Sequence, residues 1–286
     1  MSSSSRAPWR LRLRLRLRGH PGILIAGSVL LLIALASLIL PALSPYDYFT
    51  PQLDLISRPP MLRGGHLLGT DPLGRDLLIR VLWGCRISLL IALVASLISV
   101  LVGVLWGAIA GYVGGHTDAL MMRTVDVLYS VPFVPFVIVL TMLFGRQLWL
   151  MFVAIGAVSW LDIARIVRGE TLSLKQREFI EAARVSGVRG AGMIARHIVP
   201  NLIGIVIIYA TLAIPTVILF EAFLSFLGLG VQSPLASLGS LVADGTSEMQ
   251  SHPHLLIVPA AFLATIIYCF NYLGDGLRDA LDPRDR

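Results

Sequence analysis

The side chains able to do chemistry are few, and in the C-terminal half they gather in one long polar stretch, Glu178 to Pro200, EFIEAARVSGVRGAGMIARHIVP. Taken as helix, Phe179, Ala182, Ala183 and Ser186 fall at i, i+3, i+4 and i+7. They form one small, mildly apolar face, with Glu178, Glu181 and Arg184 lying off it. Such a face suits docking rather than catalysis, because alanines let another protein approach closely. The same pattern also suits an amphipathic loop resting on lipid headgroups. Gly187 can take positive φ and is a natural stop for this helix. A second helical period follows at Ala191, Ile194, Ala195 and Ile198, and Pro200 biases Val199 out of the helical region. Two short helices with a sharp corner are predicted.

The remaining reactive groups form no catalytic set. Lys175 is the only lysine and sits in TLSLKQR, outside any GxxxxGK[ST] loop, so ATP phosphates have no Walker A cradle here. The six histidines include no HExxH pair, and no GxSxG elbow appears. His252-Pro253-His254 has donors for a metal, but loop histidines beside proline are usually solvated. Asp71, Arg75 and Asp76 could form a small charge cluster. No catalytic residue, cofactor site or metal site is expected.

The elements that carry these residues are apolar. The chain has 286 residues, 56% hydrophobic and 14% charged, with mean hydropathy +0.80. A soluble protein of this length needs more surface charge, so the chain reads as an all-α polytopic membrane protein. A net charge of +6 would suggest nucleic acid in a soluble chain; here the placement of the charge decides, and no nucleic-acid partner is expected. Cys85 and Cys269 lack metal or CxxC spacing and read as apolar fillers.

Six spans are predicted, at 22–42, 87–110, 127–145, 148–167, 201–223 and 255–273. Residues 1–21 form a basic tail in which Arg10, Arg12, Arg14, Arg16 and Arg18 alternate with leucines, suited to fixing topology and touching anionic lipid. The first span and an outer loop fill 22–83. A five-helix core fills 84–273, with the polar loop at 168–200, and 274–286 is a polar tail. Within the core, 111–126 reads as a short polar turn and Gly103-xxx-Gly107 as a close-packing signal. Pro132 and Pro135 interrupt the third span. If both termini and the polar loop lie inside, seventeen of the 23 Arg and Lys residues are cytoplasmic and six are outside. The positive-inside rule supports that orientation, with Arg58 and Gln232 outward and Ala183 and Arg284 inward.

Glu221 ends the fifth span. At ~1.5 Å per residue from Asn201, a ~30 Å core is crossed in about 20 residues, so Glu221 lies near the outer interface. It reads either as an interfacial carboxylate, hydrated or bonded to a neighbouring helix end, or as a group at the mouth of a pathway. There it could receive a peptide's ammonium terminus or close a polar gate.

Several stretches carry a family resemblance. Glu181-Ala182-Ala183, then Gly187, then Pro200 resembles the EAA loop of permease subunits in ABC importers. HLLGTDPLGRD at 66–76, RTVD at 123–126 before Pro132, FEAFLSFLGLG at 220–230 and GDGLRDALDP at 274–283 resemble further segments of oligopeptide and dipeptide permeases. ARIVRGETLSLKQREFIEAARVSGV is especially similar to the oligopeptide branch. Ile79 stands where that family usually has a small polar residue.

The resemblance implies a type I (MetI-like) permease with six transmembrane helices, multi-pass in a bacterial plasma (inner) membrane. It implies that this chain forms half of a pathway with a sister permease, and that two ATP-binding subunits hydrolyse ATP below it. A peptide-binding protein would deliver cargo from outside. Glu181, Ala182, Ala183, Gly187 and Pro200 would form the coupling loop that docks on the ATPases. The alternatives are a secondary transporter for peptides or other small solutes, which would show repeats and midplane charges, and a membrane-embedded enzyme.

Overall fold

The computed structural model describes residues 21–61 and 65–281. The arginine-leucine tail, Arg63 and Arg284 lie outside the described residues. The described chain is helical, with one isolated bridge between Thr70 and Asp76.

Helix α1 (Pro21–Leu43) is apolar all round, as a helix in lipid should be. Helix α2 (Leu77–Val113) has 37 residues and extends about 55 Å. Its start lies ten residues before the expected second span. Asp76 caps it, accepting from the backbone of Ile79 at 2.9 Å. The boundary at 83/84 therefore falls inside a helix, and the outer loop is shorter than the sequence suggests. Gly114, at φ 74°, ends the helix.

The expected polar turn at 111–126 is instead mostly helix. After Gly114 and Gly115 the chain forms α3 (Gly115–Ser130). Its acids have partners across the bundle, so polarity there does not require a loop. Then comes a break, with Val131 and Pro132 both extended at ψ 121° and 126°. Proline lacks a donor and pushes its predecessor out of the helical region. The following helix, α4 (Phe133–Phe144), has only 12 residues, about 18 Å. The pair α3–α4 is bent by 82° at this break, the interruption that Pro132 and Pro135 mark in the sequence. Five other helical segments are long and apolar enough to cross a membrane.

Helix α5 (Leu148–Lys175) runs beside α2. Gly107 makes that approach possible: a Cβ there would lie 2.4 Å from the Ala164 carbonyl oxygen. The close-packing signal in the sequence is thus used. After α5 come the short helices α6 (Glu178–Val185) and α7 (Ala191–Met193), then α8 (Val199–Phe226). Helix α9 (Leu238–Ser247) lies in the connection between α8 and the last helix, and α10 (His254–Leu281) continues eight residues past the expected end of the sixth span.

Beside a small cluster of Val125, Trp160, Leu161 and Ala164 that joins α3 to α5, two larger apolar clusters hold the bundle. One gathers Ile91, Ile155, Ile218, Leu224, Leu238 and Ile266 from α2, α5, α8, α9 and α10. The other gathers Val104, Val167, Ile180, Met193, Ile198 and Leu202 around the polar loop. Apart from Val125 and Val137, which are buried, α3 and α4 are largely uncovered, with Leu120 at 71% and Met142 at 80% exposure.

Candidate functional site

The polar loop folds as a hairpin on the second cluster. Glu178 and Glu181 occupy the first turn of α6 and Arg184 the last, the placement that complements a helix dipole. Ile180 is fully buried and Ala183 nearly so. Burying a side chain such as Ile180 contributes about 1.5–3 kcal/mol, enough to hold one short helix down. Phe179, Glu181, Ala182 and Val185 face away, with Val185 90% exposed. The face expected from spacing is therefore split. Ala183 packs inward with Ile180, and Phe179, Ala182 and Ser186 remain on the surface. The alanines are adjacent, and a 100° step separates them around the helix.

The end of α6 is a Schellman turn. Gly187 N–H donates to the Arg184 carbonyl and Val188 N–H to the Ala183 carbonyl, both at 3.0 Å. Gly187 has φ 88°, and nothing lies within 4 Å of the position a Cβ would take. The need for glycine is conformational rather than steric.

Pro200 does not end a helix. Val199 is helical at φ −55°, ψ −43°, and Pro200 sits in the first turn of α8. The strain it would impose on the carbonyl four residues back is relieved by a π turn at Ile194–Ile198, where Val199 N–H reaches the Ile194 carbonyl. Ala191 to Phe226 is consequently one span-length rod. The corner is made by Gly187 and Gly190, both at positive φ.

Two ion pairs anchor α5 to α3 beside the hairpin. Arg168 holds Asp118 through Nε at 2.5 Å and Nη2 at 2.6 Å. Arg165 holds Asp126 at 2.9 Å and lies over the Tyr129 ring at 4.4 Å. Sequence reasoning missed these pairs. The available signal was two arginines three residues apart on α5, facing acids eight apart on α3.

Glu221 is about 32 Å along α8 from Pro200 and is fully buried. Its Oε2 accepts from Ser88 Oγ at 3.0 Å and its Oε1 from Ser225 Oγ at 2.8 Å. Ser88 Oγ in turn accepts from the Leu238 N–H at 3.1 Å, and Ser225 Oγ lies 3.4 Å from Ser237 Oγ. The carboxylate thus joins α2 and α8 to the first turn of α9.

At the same end of the bundle, Asp71 Oδ2 accepts from Arg75 Nε at 2.7 Å and lies 3.1 Å from Arg80 Nε. Asp76 pairs instead with His66 Nδ1 at 2.9 Å. Asp71 and Arg75 pair as expected and are joined by Arg80, whereas Asp76 turns to His66 and caps α2. His252 Nδ1 lies 3.3 Å from Glu248.

The family described as binding-protein-dependent transport system inner membrane component matches residues 103–286. The N-terminal transmembrane domain of oligopeptide transport permease C matches 7–60. The chain is 58% identical over 258 residues to the oligopeptide transport system permease protein OppC of Salmonella typhimurium, spanning 90% of this chain and 85% of that protein. It is 40% identical over 286 residues to OppC of Bacillus subtilis, spanning 100% and 93%. The dipeptide transport system permease protein DppC of Bacillus subtilis is 41% identical over 259 residues, spanning 90% and 80%. The 103–286 match contains the hairpin, both anchoring ion pairs and Glu221: the chain belongs to the family of binding-protein-dependent transport system inner membrane components, the permeases of ABC importers.

Proposed function

We propose that this chain forms half of an oligopeptide pathway with a sister permease, and that its hairpin couples the pathway to two ATP-binding subunits. The observation that carries this reading is the hairpin's two-sidedness. Ile180 and Ala183 lock it onto the bundle, while Phe179, Glu181, Ala182 and Val185 stand free beside them. A groove on each ATPase that grips this surface moves α6 and, through the Gly187–Gly190 corner, the segment Ala191–Phe226 that contains α8. ATP binding draws the ATPase pair together, the hairpins follow as rigid bodies, and the spans open outward to an extracytoplasmic peptide-binding protein. The hairpin and both termini face the cytoplasm in this reading, in line with the charge asymmetry. The permease itself hydrolyses nothing.

Glu221 serves this cycle as a latch. Its hydroxyl partners support the gate reading over capture of a peptide terminus, because its oxygens are enclosed and engaged. Reconstitution in proteoliposomes tests the whole scheme. Peptide uptake should require ATP and both ATPase subunits, and uptake without them would refute it.

A further inference from the structure

A groove of about 440 Å³ opens between α5, α8 and the break joining α3 to α4. Helix α5 lines it with Ser159, Asp162 and Ile166, at i, i+3 and i+7 on one face. Helix α8 contributes Tyr209, Thr216 and Phe220, and Tyr129 and Phe133 flank the break.

Asp162 is exposed in this groove. It lies 14 residues into α5, about 21 Å along a helix crossing a core of about 30 Å. A carboxylate at that depth is costly in lipid and belongs in a water-filled passage or against a partner. The nearby cations are spoken for, Arg165 by Asp126 and Arg168 by Asp118. Asp162 has no hydrogen-bond or ion-pair partner among the described residues. A second unpaired group accompanies it, since Ser159 Oγ is buried with no partner. The break beside them is also informative, because non-helical backbone at membrane depth is tolerated where it lines a cavity. A carboxylate and aromatic rings around an open groove are the acceptors that suit an organic cation.

We propose that this groove is a passage site for the ammonium group of the transported peptide, with Asp162 as its counter-charge. The inference rests on the reading that this chain lines a peptide pathway. It assigns to Asp162 the contact that Glu221, enclosed by serines, cannot make. The ammonium is either the peptide's amino terminus or a lysine side chain.

The test uses the complete reconstituted transporter. Asp162→Asn should lower uptake of free-amino tripeptides about tenfold, the effect of losing one charge-assisted contact, and Asp162→Glu should recover most of it. Co-purification of the sister permease and both ATPase subunits should be unchanged. A fall for trialanine assigns the amino terminus, and a fall confined to lysine-containing tripeptides assigns the side chain. In a Thr216→Cys background, where position 216 lines the groove and is exposed, a tripeptide with a bromoacetyl group on its first side chain and a free α-amino group should alkylate position 216 during turnover. Asp162→Asn should suppress that labelling. Wild-type uptake and labelling in Asp162→Asn would overturn the proposal while leaving peptide transport intact. Loss of the sister permease would also overturn it, placing Asp162 in the subunit interface. Absence of ATP-driven uptake by the unaltered complex would instead sink the pathway reading beneath it.

Discussion

Gly187 and Glu181 separate two roles within the hairpin. At φ 88° with open space around it, Gly187 resists replacement only through its backbone, and a β-branched residue there costs ~1–2 kcal/mol. Gly187→Val should leave the protein in the membrane but lower ATPase co-purification and uptake together. Gly187→Asn should retain most uptake, since asparagine visits this region readily. Glu181→Arg keeps the backbone and reverses an exposed charge at the docking surface, so it should uncouple transport with the fold unchanged. Peptide uptake beside subunit pull-down reads all three, and normal uptake in Gly187→Val and Glu181→Arg would refute the coupling role. Glu221→Ala should act differently. It leaves Ser88 and Ser225 without their acceptor, a loss of about 1–3 kcal/mol in a buried site. Thermal unfolding in detergent should show it, with Glu221→Gln milder. The sequence revealed these residue types but not their neighbours. Residue spacing grouped Ala182 with Ala183, and only the packing of Ile180 shows that one points in and the other out. The sequence placed Glu221 at the end of its span, yet its serine partners come from segments up to 133 residues away, which no local pattern reports.

Among the elements, the apolar spans were legible because lipid demands long uninterrupted helices. Their ends were not. Helix α2 begins inside an apparent loop because Asp76 and its own pairings satisfy the first turn. Helix α3 looked like a turn because its acids have partners only across the bundle. Pro200 looked like a terminator because a π turn cannot be read from residue type. Gly107 gives a direct test of helix contact. A Cβ 2.4 Å from the Ala164 oxygen cannot be accommodated without parting α2 from α5, whereas Gly169 has nothing within 4 Å. Gly107→Leu should sharply reduce the yield of folded protein and Gly169→Leu should not, as judged by size-exclusion profiles in detergent.

For the whole molecule, family membership replaces the secondary-transporter alternative, and the charge asymmetry becomes a topology to be measured. Arg58 and Gln232 are exposed, and so is Ala182, while Ala183 is covered. Ala182→Cys is therefore the informative inner probe. An impermeant thiol reagent added to intact cells should label Arg58→Cys and Gln232→Cys and spare Ala182→Cys. Cys85 and Cys269 are buried and should stay silent. Labelling at position 182 would reverse the molecule and remove the hairpin from ATP. The break between α3 and α4 has a consequence for the life of the protein in the cell. Pro135 removes the donor that the Val131 carbonyl would use within a helix, whereas the Leu128 carbonyl accepts from the Val131 N–H at 3.2 Å, and the surrounding face is largely bare. A copy that never meets its sister holds that backbone in the bilayer without shelter. Such an orphan should be recognised and degraded, so its half-life in a pulse-chase experiment should lengthen when the sister gene is co-expressed. Subunit stoichiometry would then be set after synthesis, by proteolysis of whatever remains unpaired.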